Sequence, residues 1–183
     1  MKKQNLELPD IQPGMFDLGN GEFCTKKPNS CFRSIIGAVD PDKQIAYGLC
    51  PVRIMLPWCL GVLTPSEQAF ASGAEQTEFL LAEAEKLGIK LPAARFCHEY
   101  QGFGVNPGEA FLPTKDEISH FGQSAIMNSW KMIGLNSGDC TMFSSTMNED
   151  GNVWMQSYSI AAVSSFVMQQ RTFGVIRVIK IKL

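Results

Sequence analysis

The sequence predicts an α+β domain, with helices packed on twisted antiparallel sheets. Three observations predict it. Residues 13–50 are short apolar runs separated by turn residues. Residues 75–132 carry helical periodicity and helix-start signals. From Cys140 onward the chain again reads as short β-prone runs with an Asp-Gly turn between them.

A length of 183 residues suits one domain with a substantial core. The chain is 45% hydrophobic and 19% charged, which argues against disorder. A formal net charge of −2, with no basic cluster beyond Lys2-Lys3 and Lys26-Lys27, disfavours phosphate-driven nucleic-acid binding. The two lysines at the N-terminus have no apolar run behind them, so no signal peptide is expected in this chain. No segment approaches the ~20 apolar residues of a membrane span. Six cysteines (Cys24, Cys31, Cys50, Cys59, Cys97, Cys140) lack C-x-x-C spacing and are accompanied by two histidines, a poor basis for zinc. An even count permits disulfides, but reduced and mostly buried thiols are the expectation.

Residues 1–12 read as a polar arm and 13–183 as one domain. Met15-Phe16 is a short strand. The Asn20-Gly21 turn returns the chain through Glu22–Thr25. Phe32–Val39 is a buried strand, ended by Asp40-Pro41-Asp42, and Ile45–Cys50 is its hairpin partner. Pro51–Pro65 is too apolar for a free linker and too rich in proline for a helix, so a packed loop or edge strand is expected. Glu75–Leu87 is an amphipathic helix burying Phe79, Leu80, Ala84 and Leu87, stopped by Gly88. Pro92–Tyr100 is a second, short helix with proline in its first turn. The glycines at 102, 104 and 108 follow no strand and precede no Gly-Lys-Ser/Thr, so a phosphate loop is rejected. Pro113-Thr114-Lys115-Asp116-Glu117 has capping-box spacing and starts a third helix running to about Met132. Strands follow at Thr141–Thr146, Val153–Ser159, Phe166–Gln170 and Phe173–Lys182.

Taken in order, Leu112-Pro113-Thr114, Phe143-Ser144-Ser145-Thr146, Asn152-Val153-Trp154 and Val175-Ile176-Arg177-Val178 resemble the bacterial C-type-lectin-like domains. The resemblance spans roughly residues 13–183. It implies a C-type-lectin-like fold whose N- and C-terminal strands lie adjacent, so that residues 14–50 pair with 173–182. It also implies structural roles for the hydroxyls of residues 144–146, which would bond neighbouring loop backbone.

Chemistry is sparse. Asn106-Pro107-Gly108 and Asn152-Val153-Trp154 lack the acid and amide pairs of a lectin-type calcium site, so no metal is expected. Glu149 and Asp150 read as a solvated turn. Gly151-Asn152-Val153-Trp154 is similar to a strand of formylglycine-generating oxidases, but their C-terminal cysteine pair is missing: no cysteine follows Cys140. His98-Glu99 lacks a second histidine one turn on, and the serines at 144 and 145 lack a nucleophile elbow. No cofactor and no enzymatic activity are expected. Trp130 and Trp154 fit the core, while Trp58 is less constrained and an exposed position is open to it. Arg177, in an apolar strand, asks for a carboxylate partner such as Glu117.

The resemblance implies recognition of a protein or glycan ligand on a cell surface, as in an adhesin or a phage tail-fibre tip, with a homo-oligomer as one possible assembly. In similar domains residues corresponding to 157–176 are polar and Asn-rich. Here they are Ser, Ala, Val, Ile, Phe, Tyr, Arg, Thr and Gly, a set compatible with diversification by a retroelement. Tyr158, Ser159, Ser164, Arg171 and Phe173 are therefore the expected ligand-binding residues, with Phe166 a further anchor type. The alternatives are an oxidase relative without its catalytic cysteines and a purely structural subunit.

Overall fold

The computed structural model describes residues 10–65, 70–134, 141–157 and 164–183. In chain order the elements are β1 (Phe16–Asp17), β2 (Phe23–Cys24), β3 (Ser34–Asp40), β4 (Ile45–Pro57), α1 (Gly73–Lys86), α2 (Pro92–His98), β5 (Ala110–Phe111), α3 (Lys115–Ser119), α4 (Gln123–Met132), β6 (Thr141–Met147), β7 (Val153–Ser157), β8 (Ser164–Val167) and β9 (Thr172–Lys182). Among the described residues they form a six-stranded sheet, ordered β2-β1-β3-β4-β9-β5, and a three-stranded sheet, β6-β7-β8. Every pairing is antiparallel. The mixed, mostly β architecture and the pairing of the N-terminal hairpin with the last strand agree with the sequence-based expectation.

β3 is apolar and buried on both faces, as a central strand should be. It meets β4 so closely at Gly48 that a Cβ there would lie 2.2 Å from Ser34 Oγ, which requires glycine. Buried Asp17 ties β1 to β3. Its carboxylate accepts from Arg33 Nε at 2.6 Å, Ser34 Oγ at 3.0 Å and the Gly19 N–H at 2.9 Å.

β4 is longer than the sequence suggested. It continues past Pro51, which has no N–H for the ladder, through a register break in which four steps along β4 match two along β9. Beyond it, Arg53–Pro57 pair with Ile176–Thr172, an edge strand on the side away from β9. Trp58 follows and is buried, a correction to the exposed position left open for it: its Nε1–H donates to the Ser144 carbonyl at 2.9 Å.

α1 starts at Ser72, whose hydroxyl accepts from the Glu75 N–H. Its buried face is Gly73, Thr77, Leu80 and Ala84, turned from the predicted stripe, and Leu87 is exposed. Thr77 sets this rotation by bonding both the N–H and the carbonyl of Leu112 through its hydroxyl. The predicted helix from Lys115 to Met132 is two helices. Gly122 interrupts it by donating its N–H to the Gly37 carbonyl of β3 at 2.8 Å. Pro13 approaches so closely that a Cβ on Gly122 would sit 2.6 Å from its Cβ.

The capping box at Thr114 is present in full. Glu117 also does something the sequence did not announce: its carboxylate accepts the Gly73 N–H as well as that of Thr114, joining the starts of α1 and α3. It is not the partner of Arg177, which corrects the proposed pair. Arg177 lies on the other side of the sheet, between the rings of Phe96 and Tyr100, with its Cζ 3.5 Å and 4.0 Å from their centroids. Its Nε–H donates to the Phe96 carbonyl at 2.9 Å. The serines of β6 are structural: the Ser145 N–H donates to the Pro113 carbonyl and its hydroxyl to Gln76 Oε1, and Thr146 Oγ1 accepts the Lys115 N–H.

Candidate recognition surface

The turn between β8 and β9 and the loop after β4 lie side by side. Gln169 holds them together. It is 3% exposed, its Nε2 donates to the carbonyls of Leu63 and Gly151 at 2.7 Å each, and its Oε1 accepts from the Leu63 N–H at 3.0 Å. The Cys59 N–H donates to the Gln169 carbonyl, and the Gln170 amide donates to the Gly61 carbonyl. This framework fixes backbone while the side chains around it project outward.

Beside the exposed Gln170 and Arg171, several of those side chains are apolar. Ile54, Met55, Leu60, Val62, Phe166 and Met168 are exposed, with Val62 at 71% and Leu60 at 61%. Phe166 and Met168 lie two residues apart along β8 and its continuation, which puts them on one face of an extended chain. Phe166 packs edge-on against Trp154 across the β7–β8 pair, with ring centroids 5.1 Å apart. The ammonium of Lys115 stands 4.5 Å from the Trp154 centroid. Trp154 is thus half-buried beneath Lys115, packed against the core at its margin. Ile54 and Met55, consecutive on β4, face opposite ways; exposed apolar side chains on neighbouring segments are the mark of a contact surface.

The sequence-predicted residues fall partly here. Arg171 is exposed in the β8–β9 turn, its N–H bonded to the Met168 carbonyl. Ser164 opens β8 opposite Gln156, and Phe173 lies on β9 opposite Leu56. Tyr158 and Ser159, with Ile160–Val163, lie outside the described residues. Sequence reasoning missed Ile54, Met55, Leu60 and Val62. The signal was present in the apolar run from Pro51 to Pro65, but it was read as packing rather than display.

A second concavity lies on another side. A groove of about 590 Å³ runs between the β3–β4 turn and the start of α3, with Asp40, Tyr47, Gln76, Asp116, His120 and Thr146 among its lining residues. Tyr47 is half-buried there, and its phenol pKa is pushed up to about 12, by burial first and then by the charges of Glu117 and Asp40. Among the described residues no group of three His, Cys, Asp or Glu side chains is arranged to hold a metal ion. The described cysteines, Cys24, Cys31, Cys50, Cys59 and Cys97, are free thiols. No described helix is long and apolar enough to cross a membrane.

No protein-family model and no curated protein sequence matches this chain. Among solved structures, the fold is similar to that of a fimbrial protein from Bacteroides ovatus ATCC 8483, with a TM-score of 0.61 at 11% sequence identity. The similarity covers 93% of this chain and 48% of that one, so this chain spans about half the length of the fimbrial protein. At that identity the likeness concerns fold. These comparisons lend no support to a phage-tail or retroelement setting.

Proposed function

We propose that this chain is a non-enzymatic recognition domain of the adhesin kind, carried on a cell surface and binding through the apolar surface built by the outer half of β4 and the β8–β9 turn. The observation that carries the reading is the exposed group Ile54, Met55, Leu60, Val62, Phe166 and Met168, set on backbone that Gln169 holds in place. Rigid backbone under exposed apolar and aromatic side chains reduces the ordering cost of binding. The fimbrial character of the structural neighbour favours a surface setting. The C-type-lectin-like assignment of the fold remains part of this proposal. It is supported by the hairpin β3–β4 beside the closing strand β9, with the helices inserted between.

The test is binding of the fluorescently labelled domain to fixed bacterial and epithelial cells, with unlabelled domain as competitor. Saturable, competed binding to at least one cell type is expected. Failure to bind any of them, or binding that excess unlabelled domain does not displace, contradicts the reading.

A further inference from the structure

We propose that the groove between the β3–β4 turn and α3 is a second binding site, one that takes a lysine side chain of a partner peptide. It goes beyond the recognition surface described above and shares none of its exposed apolar residues. Its volume of about 590 Å³ is that of a pre-formed small-ligand site.

The argument rests on which polar groups are already used. The Asp116 carbonyl can only accept, and it lies 2.7 Å from His120 Nδ1, so Nδ1 carries a proton that is already used. The Asp116 carboxylate and the Tyr47 hydroxyl have no hydrogen-bond partner among the described residues. Free acceptors of two kinds therefore border one groove: carboxylate and phenol oxygen. An ammonium has three donors and no acceptor, which complements that set. The aromatic ring of Tyr47 adds a face that attracts cations. Val39 and Pro41 line the same groove and suit the methylene stem.

Charge points the same way. Asp40, Asp116 and Glu117 line the groove against Lys43, and Lys43 is closed onto Asp40 at 3.0 Å. The carboxylates of Glu117 and Asp40 also raise the Tyr47 phenol, consistent with negative potential inside the groove. An anionic ligand is disfavoured on this count. Two donors remain for the peptide itself. Gln76 uses its Oε1 to accept from Ser145, leaving its amide N–H groups free, and Thr146 uses its oxygen to accept from Lys115, leaving its O–H free. Both suit a backbone carbonyl next to the lysine.

The experiment is a titration of isotope-labelled domain with the peptide acetyl-Gly-Lys-Gly-amide, followed by amide chemical shifts, with a norleucine peptide and methyl glucoside as controls. Saturable shifts at residues 38–47 and 114–120 are expected, with roughly tenfold weaker binding for norleucine and for the Asp116→Asn variant. Added salt should weaken binding of the lysine peptide. Tyr47→Phe should also weaken it while leaving the spectrum otherwise native. Equal binding of the norleucine peptide overturns the proposal. So does occupation of the groove by the glucoside in preference, absence of saturable shifts, or shifts confined to the β8–β9 turn. Failure of cell binding by the apolar surface leaves this result unaffected, so the two readings fail separately.

Discussion

The inner and outer halves of β4 are built alike and end up in different environments. In the inner half Ala46 and Leu49 are buried, as are Val178, Ile179 and Ile181 of β9 beside them, because β3 lies on one side and β5 on the other. In the outer half β4 runs as an edge, and Ile54 and Met55 are 42% and 51% exposed. Residue type is similar in the two stretches. What differs is the flanking structure, and the break at Leu49–Arg53 marks where β3 stops. Apolar residues of β4 therefore serve as core in one half and lie exposed in the other, while Val175 and Ile176, opposite the exposed stretch on β9, stay buried.

The largest effect should come from the inner half. Leu49→Ala should cost about 3 kcal/mol, by loss of buried area and the cavity left behind, measured by denaturant unfolding. A cost below about 1 kcal/mol would break the comparison, because the inner half would then not be the structural one. Thr114→Ala provides a yardstick for a local helix cap and should cost about 1 kcal/mol. An unchanged thermal midpoint would mean that the reciprocal bonds between Thr114 and Glu117 contribute nothing.

Cys50 sits at the junction of the halves and sharpens the comparison through pH. Burial pushes its thiol pKa up to about 12 from an ordinary value near 9. Between those values the unfolded thiol loses its proton while the folded one keeps it, so the folded state binds more protons and stability falls as pH rises. Below about pH 9 the contribution is fully present. Cys50→Ala should flatten that alkaline loss in a series of unfolding curves, and an unchanged slope would contradict the assignment. The smallest stability effects belong to the exposed side chains of outer β4 and of the β8–β9 turn. Met55→Ser and Met168→Ser should each stay within about 0.5 kcal/mol of the parent.

Much of the architecture was legible in the sequence. The capping box at Thr114 and Glu117 was readable because both bonds are local, and the hairpin Ser34–Leu49 because apolar runs and a turn mark it. The pairing with the last strand followed from a resemblance, not from spacing. The misreadings were tertiary. Gly122 ended a helix through a bond to Gly37, a partner far away in sequence. Arg177 found aromatic faces and one carbonyl rather than a carboxylate, and Glu117 found the backbone of α1. The recognition surface was legible only in part. Arg171 is exposed, as expected, but the exposure of Ile54 and Met55 goes with β4 having no flanking strand there among the described residues, which composition does not encode.

The central claim is that outer β4 and the β8–β9 turn form the recognition surface, and it is tested most directly by the double variant Met55→Ser/Met168→Ser. Its thermal midpoint, its sedimentation behaviour and its binding to the cells that the parent recognises should be measured together. The account predicts a native-like midpoint, unchanged association state and binding weakened by at least about tenfold, as loss of two contact anchors would give. Undiminished binding would contradict it. So would conversion of a dimeric parent to a monomer with binding retained, which would make this surface a contact between copies of the chain.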